Sequence, residues 1–118
     1  MHHIIHRHTK SFGHAWRGIL HSLRTQPNFL IHVAFSLGAL LLGYMLTISA
    51  IEQIVIVLVI ICGLAIELIN TAIEEACNAI DGNIREEIKI AKDAAAGAML
   101  VYAIGAIIIA GLIFLPKL

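Results

Sequence analysis

The chain alternates between polar stretches and long apolar runs, and that pattern predicts its elements. The first 26 residues are the longest polar stretch. Phe12, Trp16, Ile19, Leu20 and Leu23 recur there at helical spacing on one face. Lys10, Arg17 and Arg24 recur every seventh residue on another, with His14 and His21 beside them. A helix over about 8–26 with an aliphatic-aromatic stripe and a basic stripe suits the headgroup plane of a membrane or the flank of a helical bundle. Pro27 marks a break after it.

Three runs are then long and apolar enough to cross a bilayer: 29–48, 53–76 and 91–115. Each supplies roughly the 20 residues needed to span ~30 Å of hydrocarbon at ~1.5 Å per residue. Ser49–Gln53 is a turn between the first two, and Asp81-Gly82-Asn83 signals a turn before the third. Pro116 ends the last span. No repeat or linker divides the chain, so it reads as one all-α membrane domain over 1–118, three transmembrane helices plus an N-terminal amphipathic surface helix.

Composition supports the membrane reading. Only 14% of residues are charged, against roughly a quarter in soluble domains, and the mean hydropathy is +0.90. The formal net charge is zero, which argues against a nucleic-acid partner. Cys62 and Cys77 are far apart, without metal-ligand spacing, and read as free thiols. No cleavable leader is expected at the N-terminus. The His-rich start (His2, His3, His6, His8) reads as a frayed or tag-like end. Arg7, Lys10, Arg17 and Arg24 precede the first span, and Arg85, Lys89 and Lys92 lie between the second and third. The connection between the first two spans has no basic residue, so the N-terminus is expected in the cytoplasm and the C-terminus outside the cell membrane.

Candidate chemistry gathers at one end of the second and third spans. Glu67, Asn70 and Glu74 stand at i, i+3 and i+7, so they share a helix face, with Thr71 alongside. A carboxylate after a run of aliphatic residues costs a few kcal/mol if it meets lipid, which directs it to a cavity or a partner. One chain of three spans is expected to shield this face incompletely, which favours a closed oligomer. Lys92 and Asp93 open the third span among Ala91, Ala94, Ala95, Ala96, Gly97 and Ala98, and such small side chains let helices approach closely. Acidic groups for a divalent cation and a lysine for phosphate are the minimum for phosphoryl transfer. No Walker-type or protein-kinase glycine loop is present. A small non-enzymatic carrier built around Glu67 is the alternative from another class.

The runs Glu67-Leu-Ile-Asn70-Thr-Ala-Ile-Glu74 and Ala91-Lys92-Asp93-Ala-Ala-Ala-Gly97-Ala resemble the paired signature of the prokaryotic diacylglycerol kinase family. Lys10-Ser11-Phe12, Trp16, Gly18 and Asn28-Phe29-Leu-Ile-His32 resemble its N-terminal pattern. The two central runs look closer to the Gram-positive branch, which includes undecaprenol kinases. The resemblance implies an ATP- and Mg2+-dependent kinase of a membrane lipid alcohol, diacylglycerol or undecaprenol, in the plasma membrane. It further implies a homotrimer with active sites shared between subunits. Glu67 then matches the general base, Glu74 a metal ligand, and Lys10, Asn70, Glu74, Lys92 and Asp93 line the nucleotide site. Gln26 stands where many members carry a second metal-ligating glutamate, so the cation site has one negative charge fewer.

Overall fold

The computed structural model describes residues 1–83 and 85–118. It consists of α1 (His2–Thr25), α2 (Pro27–Met45), α3 (Ala50–Ile80), α4 (Glu86–Phe114) and a closing 3-10 turn, Leu115–Lys117. The protein is an all-α membrane protein: α2, α3 and α4 are each long and apolar enough to cross a bilayer, and α1 precedes them. Each helix begins before its expected limit, whereas α2 ends at Met45, three residues short of 48, where Thr47 and Ile48 turn the chain back. α1 begins at His2 and takes in the His-rich start, α3 begins and ends further out than its apolar core, and α4 begins at Glu86 and ends at Phe114. Hydrophobic pattern marks where a helix meets hydrocarbon, and backbone hydrogen bonding carries it past that limit into polar sequence.

Gln26 joins α1 to α2 in an extended conformation, φ −112° and ψ 103°. The ring of Pro27 disfavours helical geometry in the residue before it and is itself suited to the first helical position.

The α2–α3 connection follows from residue chemistry at each step. Thr47 lies in the left-handed region at φ 50°. The Thr47 N–H donates to the Tyr44 carbonyl at 3.3 Å, and the Ile48 N–H donates to the Gly43 carbonyl at 3.2 Å. This pair of bonds is a Schellman motif, with Thr47 at the position usually given to glycine. Ile48 folds back over Gly43, where a Cβ would lie only 2.9 Å from the isoleucine Cδ1. Ser49 then caps α3: its Oγ accepts from the Glu52 N–H at 3.2 Å, while Glu52 Oε1 accepts from the Ser49 N–H at 3.1 Å. This reciprocal pair satisfies two backbone donors that the helix start leaves unpaired. Glu52 also pairs with Lys117 at 3.3 Å, tying the chain's end to the start of α3.

α3 is the central element, packed against α2, α4 and the end of α1. A small apolar core of Ile48, Ile56, Ile113 and Phe114 sits at the α2–α3 turn. Most other apolar side chains of the spans face outward, as hydrocarbon surroundings permit.

Candidate functional site

The inward face of α3 changes character along its length. Its buried positions run Ile56, Gly63, Glu67, Thr71 and Cys77, apolar at the turn end and polar beyond the middle. Glu67 is only 3% exposed, and among the described residues its carboxylate has no hydrogen-bond partner. Burying an unpaired carboxylate is costly, so its presence needs a reason other than packing. The chain's own helices bury Glu67, while Asn70 and Glu74 on the same face are only half-buried, so one chain shields the face incompletely, as expected.

Thr71 donates its hydroxyl to the Glu67 carbonyl at 3.0 Å, a bond within its own helix. Asn70, on the same face as Glu67, keeps a buried Oδ1 without a partner. Glu74, one turn further, is half-buried. At the end of that face Asn78 Oδ1 accepts from Lys92 Nζ at 2.8 Å.

Two polar contacts fix how α4 lies along α3. Tyr102 reaches Val59 and Lys92 reaches Asn78, so residues 92–102 run antiparallel to 59–78. Glu67 lies between these anchors. Ala95, 6% exposed and one turn from Lys92, is the buried small residue that allows the approach. The expected approach of Lys92 to α3 therefore occurs, with Asn78 as the immediate partner. Asp93 points elsewhere: its carboxylate accepts from Lys89 Nζ at 3.0 Å within α4 and is 67% exposed.

The end of α1 and the α1–α2 joint sit at the same end of α3. His21 Nε2 lies 3.5 Å from Glu75 Oε1, holding the end of α1 against α3 next to Glu74. Gln26, at the α1–α2 joint five residues later, is half-buried. Lys10 is exposed and shares an open face of α1 with His14 and Arg17. Among the described residues, no hydrogen bond or ion pair joins Lys10 or Asp93 to Glu74.

Among the described residues no three His, Cys, Asp or Glu side chains cluster tightly enough to cage a metal. The oxygens present still fit magnesium, which keeps several waters and binds through one or two protein oxygens plus substrate phosphates. The half-buried Glu74 carboxylate and the unpartnered Asn70 Oδ1, one turn apart, are such donors.

Three features were not read from sequence: Asn78 as the partner of Lys92, the His21–Glu75 contact, and a hydrogen-bonded group of His32, Tyr102 and Val59. The last left a signal, since a histidine and a tyrosine inside apolar spans call for partners.

Known proteins resemble the chain across almost its whole length. Residues 13–114 match the family described as Prokaryotic diacylglycerol kinase. An undecaprenol kinase of Bacillus subtilis is 45% identical over 114 residues, covering 97% of this chain and 93% of that protein. A diacylglycerol kinase of Synechocystis is 38% identical over 109 residues, covering 92% of this chain and 62% of that longer protein.

Proposed function

Because this chain belongs to the prokaryotic diacylglycerol kinase family, a family of membrane kinases, we propose that it transfers the γ-phosphoryl group of ATP to the hydroxyl of a membrane lipid alcohol. The acceptor is undecaprenol or diacylglycerol, and the product undecaprenyl phosphate or phosphatidic acid. The reaction takes place at the cytoplasmic face of the plasma membrane. Membership of a kinase family sets aside the carrier alternative.

The observation that carries the assignment of roles is Glu67: a residue 3% exposed, its carboxylate without a hydrogen-bond partner among the described residues, between two contacts that fix α4 on α3. Glu67 accepts the hydroxyl proton of the lipid as its oxygen bonds to the γ-phosphorus. The bond from that phosphorus to the bridging oxygen breaks, and ADP leaves with the electron pair. Positioned general bases of this kind contribute about 10²–10⁴-fold to rate, and the rest of phosphoryl transfer is positioning and charge neutralisation.

Asn70 and Glu74 hold the nucleotide with its magnesium, with Gln26 as a neutral further ligand. Magnesium, when bound, neutralises phosphate charge and aligns the γ-group. Lys92 supplies positive charge at the nucleotide end, and its bond to Asn78 keeps the ammonium at α3 when ATP is absent. Lys10 and Asp93 complete the nucleotide site. Among the described residues neither is bonded to Glu74 within one chain, which supports sites shared between subunits of a homotrimer.

The test is ATP-dependent phosphorylation of lipid alcohols by the purified protein in micelles. Glu67→Gln keeps the shape and removes the base, so turnover should fall by about 10²–10⁴-fold while nucleotide binding persists. Near-normal turnover by a folded Glu67→Gln protein would refute the assignment.

A further inference from the structure

One polar group within the spans takes no part in the site described above. Tyr102 of α4 donates its hydroxyl to the Val59 carbonyl of α3 at 2.8 Å. The same oxygen lies 3.2 Å from His32 Nε2 of α2. A tyrosine hydroxyl has one proton, here directed to Val59, so His32 Nε2 must carry a hydrogen and donate it to Tyr102. The two rings stack with centroids 5.2 Å apart at 25°. Gly63 makes the room: a Cβ there would overlap His32 Nε2 and the hydroxyl end of Tyr102.

This node lies next to the reacting end of the site. Gly63 and Glu67 are both buried and four residues apart, so they share a face about 6 Å apart along the helix. The node is on the side of Glu67 away from Glu74 and Lys92, where the polar face closes before the apolar core. His32 and Tyr102 are half-buried, so their outer edges remain within reach of lipid.

Resting on the reading of this chain as a lipid kinase acting at Glu67, we propose that the His32–Tyr102–Gly63 node selects a polyprenol-type acceptor over a diacylglycerol. A hydroxyl that reaches Glu67 from within the bilayer lays the next atoms of its lipid along the node. In a polyprenol those atoms are alkene and methyl carbons, which need no hydrogen bond and suit stacked ring faces beside a glycine. In a diacylglycerol they are two ester groups, whose carbonyl oxygens leave interfacial water and must find donors. The node has two donors, the Tyr102 hydroxyl and His32 Nε2–H, and both are spent inside it. Tyr102 is therefore a positioning residue that acts by holding the histidine donor away from the acceptor.

The experiment measures kcat/KM of the purified full-length protein in micelles for undecaprenol and for dioleoylglycerol, at saturating ATP. The wild type should favour the polyprenol by about tenfold or more, the usual effect of an unsatisfied acceptor. Tyr102→Phe keeps the ring and frees His32 Nε2–H, so the ratio should move toward dioleoylglycerol by about five- to tenfold. That change should appear in the lipid KM, with the KM for ATP unaltered. His32→Phe leaves the node without a free donor and should retain the wild-type preference, which checks the idea even if Tyr102→Phe fails to fold. Equal effects of Tyr102→Phe on both lipids, a wild-type preference for dioleoylglycerol, or loss of preference in His32→Phe would overturn the proposal. Turnover of neither lipid by the wild type would overturn the kinase reading and the proposal with it.

Discussion

Gly63→Ala adds a single methyl group at the point where three helices meet, and the structure gives its cost. The added carbon would overlap His32 Nε2 and the Cζ and hydroxyl of Tyr102. Both obstacles are rings on other helices, so relief requires either displacing α2 and α4 or turning the rings away. Overpacking of this kind costs about 1–3 kcal/mol. Turning the rings also breaks the Tyr102–Val59 and His32–Tyr102 hydrogen bonds, at about 0.6 kcal/mol each inside a membrane. The expected loss is therefore about 2–4 kcal/mol, less whatever alanine regains through its better helix propensity, about 1 kcal/mol. Reversible denaturant unfolding in micelles, followed by circular dichroism, measures it. Gly38→Ala is the control, because a Cβ at Gly38 meets nothing within 4 Å and should be neutral or stabilising by up to about 1 kcal/mol. Tyr102→Ala in the same chain should remove more than half of the Gly63→Ala penalty, since the sites are in contact. A Gly63→Ala protein as stable as wild type would refute the packing described around Gly63.

Three further outcomes follow from other parts of the molecule. Thr47→Gly should raise stability by up to about 1 kcal/mol in the same unfolding assay, because the left-handed conformation at φ 50° strains a β-branched residue and suits glycine; a loss would show that side-chain contacts of Thr47 outweigh the strain. A reporter fused after Leu118 should read as extracytoplasmic and one inserted at Asn83 as cytoplasmic, and the same location for both would contradict three spans. Gln26→Glu should lower the magnesium concentration for half-maximal activity, since a carboxylate binds a hard cation better than a carboxamide; an unchanged requirement would place Gln26 outside the cation site.

The elements were legible because each rests on a local rule. Apolar runs located the spans, Pro27 located the α1–α2 break, and the i, i+3, i+7 spacing placed Glu67, Asn70 and Glu74 on one face. The Ser49-x-x-Glu52 cap is also written locally, as a serine three residues before a glutamate. Contacts across sequence distance were less accessible. Small residues around Lys92 indicated close approach of α4 to α3, but its landing point on Asn78 depends on helix register, which no local pattern sets. Gly63 looked like one more small residue in an apolar run. Its role depends on rings 31 positions before it and 39 after it converging on the same point. The outward direction of Asp93 could not be seen either, since Lys89 four residues earlier competes for it.

The length of α3 links these parts to the membrane and orders the chemistry by depth. The capped start of α3, with the Glu52–Lys117 pair, is polar and belongs at one bilayer surface. About 20 residues at ~1.5 Å each cross the hydrocarbon from there, which puts the opposite boundary near residue 72. Glu67 then lies roughly 7 Å inside that boundary, Asn70 and Thr71 lie at it, and Glu74 and Asn78 lie beyond it in the headgroup layer. The same count along α4, backward from Lys117, puts the boundary near residue 97 and Lys92 roughly 7 Å outside. The two helices thus agree, and the Lys92–Asn78 contact joins groups at matching depth. In the proposed reaction a lipid hydroxyl would dip only slightly to reach Glu67, whereas a charged nucleotide would bind at Asn70, Glu74 and Lys92 without entering hydrocarbon. On that proposal the transferred phosphoryl group would bridge only the one to two helical turns between them. Gly63 and its two rings lie about 6 Å deeper than Glu67, at the level where the acceptor is already hydrocarbon or still ester. The proposed discrimination between lipids would act at that depth, because nearer the surface water can satisfy either one.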